Sequence, residues 1–188
     1  MMMKMQIYTF LLSTLYHNWA TLYKLRFFRR YRDDCTSLGI DDFLTIATEI
    51  YPPSLTLTQE NDSPSKVNVL DMVAEINDGR ILTKVFCKTD HFPFNVISFP
   101  FLESNLDTKI CYNVFFGQVI RIQRLTSLIE DFETRVKFLA DILIKRGYNG
   151  YILRKKFCRA LDKYGTEFQK WPLPQDLRSW FFQIIGLN

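Results

Sequence analysis

The chain has 188 residues, 47% hydrophobic and 23% charged, with a net charge of +4 and a pI near 8.8. That composition excludes a disordered or collagen-like chain and suits one ordinary domain, or two small ones, with a real core. The mild basicity permits a polyanionic partner without specifying it, and four cysteines without CxxC spacing (Cys35, Cys87, Cys111, Cys158) argue against a zinc site and for free thiols in a reducing, intracellular compartment.

From the N-terminus, Tyr8, Leu12, Leu15, Trp19 and Leu22 recur at helical spacing, so residues 5–24 are expected to form a helix. A signal-peptide reading of residues 5–16 is weaker. Ser13 and Thr14 interrupt the apolar run, no small-x-small site follows, and the run is too short to cross a bilayer. Residues 25–38 alternate as a strand pair, with Asp33-Asp34 at or near the bend. A helix is expected from Asp41-Asp42, with Phe43, Ile46, Ala47 and Ile50 on its apolar face, until Pro52-Pro53 stops it.

Leu55 to Thr58 alternates as a short strand, and Asn61 to Ser65 reads as a loop. Val69–Ile76 and Ile81–Cys87 are expected as two strands of a hairpin, because the Asp78-Gly79 pair between them supplies the positive φ such a turn needs. An aromatic segment, Phe92 to Leu102, follows. Its phenylalanines are expected to be mainly core, with stacking on bases as the alternative.

The remainder reads as helical. Tyr112, Phe115, Phe116, Val119 and Ile120 share a face, with Arg121 and Arg124 off it. Ser127 to Glu130 has the capping-box pattern, and Phe132, Val136, Leu139 and Leu143 continue as an apolar stripe until Gly147. Leu153, Phe157 and Leu161 mark a third helix ending near Gly165, and Trp180 and Phe181 a short last one. The expected class is α+β, with an α+β portion over 1–105 and a helical portion over 106–188.

Two constellations carry chemistry. Adjacent carboxylates at a hairpin tip, Asp33 and Asp34, suit a metal pair for phosphoryl transfer, where Mg²⁺ ions activate a 3′-hydroxyl and neutralise pyrophosphate. A solvated acidic turn gives the same residues. The second is charge. Lys145, Arg146, Arg154, Lys155, Lys156, Arg159 and Lys163 face a single acid, Asp162, between 145 and 163, a net +6 in one stretch. Such a run grips a nucleic-acid backbone through phosphate neutralisation, or is an ordinary solvated helix face. His17 and His91 stand alone and are assigned no metal.

The order of segments resembles retroelement reverse transcriptases, RNA-directed DNA polymerases of animal retrotransposons. Phe28-Arg29-Arg30-Tyr31-Arg32-Asp33-Asp34 is similar to their F-R-Y-x-D-D strand, and Ile50-Tyr51-Pro52-Pro53-Ser54-Leu55 to the I-Y-P-x-x-L that follows. Val69-Leu70-Asp71-Met72 resembles a Y-L-D-L strand, and Gly79-Arg80-Ile81-Leu82-Thr83-Lys84-Val85-Phe86 a G-R-x-x-T-K-x-Y segment. Asp90 to Phe101 is similar to D-D-F-N-F-x-I-x-x-F-P-F, Ser104-Asn105 to S-N, and Tyr112 to Arg121 to Y-x-V-x-x-S-Q-x-x-R. The likeness spans about residues 25–165.

The resemblance implies a partial polymerase palm over 1–105 and a thumb-like helical bundle over 106–188. It implies Mg²⁺ as cofactor, Asp33 and Asp34 as metal ligands, and nucleotidyl transfer as the ancestral reaction. The RNA template–primer duplex would be the partner, held by Arg121, Arg124, Lys145, Arg146, Arg154, Lys155, Lys156, Arg159 and Lys163. Lys66, in the loop region well beyond Asp34, would be a general acid for pyrophosphate. The sequence departs from the family where no Asp or Glu precedes Tyr31, so the first catalytic aspartate and the fingers have no counterpart there. Arg32 and Cys35-Thr36 also stand where apolar residues are usual. The expectation is therefore a C-terminal piece of a reverse transcriptase, inactive alone. Its alternatives are a non-catalytic module binding RNA or RNA–DNA duplex, and a relic without function. No membrane association is expected.

Overall fold

Short antiparallel pairing opens the structure. The computed structural model describes the backbone of Arg29–Tyr31 and Asp34–Thr36, the single residues Thr45 and Ser54, and residues 63–186 apart from Asn95, Leu173, Gln175 and the side chains of Leu177 and Arg178. The chain divides into two units, Met1–Glu60 and Asn61–Asn188. In the first, β1 (Arg29–Tyr31) pairs antiparallel with β2 (Asp34–Thr36), Tyr31 opposite Asp34. Arg32 and Asp33, which connect them, lie outside the described residues, as do the expected helix over 5–24 and the strand at Leu55 to Thr58. Of the expected helix after Asp41-Asp42, only Thr45 is described, and it is helical.

The second unit is α+β. Its sheet is a meander of β3 (Lys66–Val69), β4 (Met72–Asn77) and β5 (Arg80–Val85), all antiparallel. The β4–β5 turn is the one expected. Asp78 and Gly79 have φ of +48° and +72°, the double left-handed pair that matches the twist of a two-residue hairpin. The strand expected over Val69–Ile76 is instead two strands. Val69 pairs with Met72 across a turn at Leu70-Asp71, with Leu70 at φ +53°. A leucine in that region is uncommon, so residue type gave no turn signal, and the stretch likened to a strand contains a reversal.

A 3-10 turn at Lys88–His91 leads into the aromatic segment. Four helices follow: α1 (Thr108–Leu125), α2 (Ile129–Ile144), α3 (Gly150–Phe168) and α4 (Leu177–Ile185). The Asp107 carboxylate caps α1 by accepting from Lys109 N at 2.6 Å, and Asn149 caps α3 by accepting from Tyr151 N and Ile152 N. Gly147, at φ +87°, ends α2 in the left-handed conformation, with Tyr148 N donating to Leu143 O. The α3 helix does not end at Gly165. It bends at Tyr164 (φ −121°, ψ 27°) and runs on to Phe168.

The core lies among the helices. Phe115 and Val119 of α1, Phe132, Val136, Leu139 and Leu143 of α2, Leu153, Phe157 and Leu161 of α3, and Trp180 and Phe181 of α4 are all buried. Phe132 is its hub, with ring centroids of Trp171 at 4.9 Å and Phe168 at 5.7 Å, the latter edge-on. In the sheet only Val73 is buried.

The capping box expected at Ser127 does not form. Leu128 is the N-cap residue, with no side-chain cap. The Ser127 hydroxyl accepts from Thr83 N at 2.9 Å and lies 3.0 Å from Thr83 Oγ1, while Ser127 N donates to Thr83 O at 2.7 Å. Ser127 therefore pins the start of α2 to β5.

The aromatic segment is less buried than expected. Phe99 packs against the core, but Phe92, Phe94 and Phe101 are 47%, 64% and 50% exposed. Phe92 and Phe94 stack on each other at 5.2 Å instead of entering the interior.

Candidate nucleic-acid interface

Helices α1 and α3 run parallel, and three contacts along them share one sequence offset. Asn113 Oδ1 accepts from Lys156 Nζ at 2.6 Å. Arg159 lies over the Phe116 ring at 5.8 Å. Arg124 reaches Glu167 through two bonds, Nε at 2.8 Å and a terminal nitrogen at 2.9 Å. Parallel packing puts the N-terminal ends of both helices, with their partial positive charge, at the same end of the seam.

The nine basic residues expected to hold nucleic acid separate by environment. Arg124 is taken by Glu167. The bidentate contact raises the guanidinium pKa and lowers that of the carboxyl, so both stay ionised. Arg121 pairs with Asp71 at 2.9 Å and donates to Gln118, tying α1 to the β3–β4 turn. Arg146 donates to Phe99 O and lies 5.2 Å from the Phe101 ring centroid, so it holds the aromatic segment. Arg154 lies over Tyr151 and Phe182 at 5.3 and 5.0 Å. These four have structural partners.

Lys145, Lys155, Arg159 and Lys163 are exposed, and Lys156 is half-buried. Among the described residues none of these five forms an ion pair with a carboxylate. Arg159 and Lys163 lean on the aromatic faces of Phe116 and Tyr164, which orients the cations without neutralising them. The Lys156 amine is held below its ordinary value, first by burial and then by the like charges of Arg159 and Lys109. Lys109, on α1, belongs to this cluster and was not foreseen. Charge counted along 145–163 cannot register a cation supplied by a different helix. Lys170 was also missed. It donates to Gln123 O and to Thr126 O (2.6 Å for the latter), closing the C-terminal end of α1.

Lys66 opens β3, exposed, opposite Glu75. Asp34 belongs to the other unit, at the first position of β2, and Asp33 lies outside the described residues. Among the described residues no group of three His, Cys, Asp or Glu is placed to hold a metal ion, and no helix is long and apolar enough to cross a membrane. No known protein family, curated protein or solved structure matches the chain.

Proposed function

We propose that the protein is the palm-and-thumb portion of a retroelement reverse transcriptase, and that its helical unit holds an RNA–DNA template–primer duplex by the phosphate backbone. The observation that carries the binding half of this reading is the run of cations without carboxylate partners along α1 and α3. Cations left unpaired on a folded surface repel one another and cost stability, and a polyanion removes that cost with release of its counterions. The order of motifs from Tyr31 to Arg121 supports the ancestry, with Mg²⁺ as the ion for Asp33 and Asp34. Mg²⁺ there would neutralise charge on the transferred phosphate.

The 188-residue chain on its own is not a polymerase in this reading, because no carboxylate before Tyr31 supplies the ligand that precedes the Asp33-Asp34 pair. Primer extension on a primed RNA template with Mg²⁺ tests it. The expected result is no product above background, and extension abolished by Asp34→Ala would overturn the claim. The duplex-binding reading stands apart from catalysis. Lys155→Glu with Lys156→Glu is expected to weaken hybrid binding by well over tenfold, since each reversal removes one phosphate contact and adds a repulsion. Unchanged binding would contradict it.

A further inference from the structure

The cations of the α1/α3 seam are not evenly distributed. Toward its C-terminal end Arg124 is neutralised by Glu167. In its N-terminal half Asn113 of α1 holds the Lys156 amine of α3 in place at 2.6 Å, with Arg159 one turn further along α3 and Lys109 one turn before Asn113 on α1, near enough for its charge to act on Lys156. Lys109 and Asn113 are four residues apart on one face of α1, as Arg159 and Lys163 are on α3. The nearest acids in sequence do not compensate. The Asp107 carboxylate accepts from the Lys109 backbone N–H, and Asp162, one turn beyond Arg159, forms no ion pair with it among the described contacts.

We propose that Lys109, Asn113, Lys156 and Arg159 form a seat for the phosphodiester groups of one nucleic-acid strand, along the N-terminal half of the α1/α3 seam. This rests on the nucleic-acid reading above and assigns it to particular residues, two of them outside the basic run of the sequence. Lys156 keeps further N–H donors beyond the one given to Asn113, and the Phe116 ring supports the Arg159 guanidinium. Charge-assisted bonds from an ammonium and a guanidinium to one anion are the strong kind. A bound phosphate also answers the like-charge repulsion that lowers the Lys156 pKa.

The test is fluorescence anisotropy of a labelled RNA–DNA hybrid against the full chain and its Lys109→Gln, Lys156→Gln and Arg159→Gln variants, over a salt series. Lys137→Gln, an exposed charge on α2, controls for the loss of one cation. Each seam variant is expected to weaken binding and to lower the log–log salt slope by about one, and Lys137→Gln to leave both unchanged. Melting temperatures of the seam variants should stay close to the parent's, because the surface contacts they lose are small beside the buried aromatic core, so lost binding would not reflect misfolding. Seam variants that bind as tightly as the parent would overturn the seat while leaving the nucleic-acid reading intact. No binding of the parent chain at low salt would overturn both. Phosphatidylserine vesicles serve as the competing surface, and tighter, Lys156-dependent capture by vesicles than by hybrid would overturn the assignment to nucleic acid.

Discussion

Ser127 and Tyr148 show how single side chains join distant parts of the second unit. The Ser127 hydroxyl satisfies Thr83 N, and its carbonyl accepts from Trp171 Nε1 at 2.8 Å. Ser127→Ala leaves a half-buried N–H of β5 without its acceptor and is expected to cost about 1–2 kcal/mol, measured as a shift in urea midpoint at constant m-value. An unchanged midpoint would show that the sheet does not depend on this link. Tyr148 is buried, donates to Pro100 O at 3.2 Å, and meets Tyr112 edge-on at 5.1 Å. Burial, then hydrogen bonding with Cys111, pushes its hydroxyl from the ordinary 10.0 up to about 12. The unfolded chain releases that proton near 10 while the folded chain keeps it, so the stability it contributes is intact below pH 10 and is lost as the pH climbs toward 12. Melting temperature against pH should fall less steeply through that window in Tyr148→Phe than in the parent. Equal slopes would contradict the buried hydroxyl.

At the scale of elements, two glycines make opposite predictions. Gly117 sits in the interior of α1, and a Cβ there would meet nothing within 4 Å. Gly117→Ala is expected to stabilise by about 1 kcal/mol through helix propensity alone. Gly147 holds φ +87°, and Gly147→Ala is expected to cost about 1 kcal/mol despite open space, its added Cβ coming no nearer than 3.7 Å to Leu102. Thermal melts of both variants check the pair, and equal signs would be inconsistent with the backbone account. The elements that a sequence reading reaches are those with local signals. Asp78-Gly79 announces its turn, and the stripe Phe132, Val136, Leu139, Leu143 announces α2. The misses share a non-local cause. Leu70 takes a left-handed turn that its residue type disfavours, Ser127 turns from its own helix to bond β5, and α3 continues past Gly165 because Phe168 packs on Phe132 and Trp171. The candidate site divides the same way. The basic run was legible as composition, but the sorting of its arginines into ion pairs and ring contacts, and the arrival of Lys109 from α1, follow from helix packing.

For the molecule as a whole, a net charge of +4 averages over cations of two kinds. The partnered arginines contribute to the fold, and the lysines without a carboxylate partner among the described residues, together with Arg159, carry the surface field. That field belongs to the Asn61–Asn188 unit, which also contains the buried aromatic core. Duplex binding in this account therefore does not depend on the Asp33-Asp34 pair. The most direct test of the central claim is the affinity of the 188-residue chain for an RNA–DNA hybrid over a salt series from about 50 to about 200 mM. The account predicts binding at the low end and a log–log slope of about −3 or steeper, as three or more phosphates are neutralised. A flat salt dependence, or no binding at the lowest salt, would contradict it.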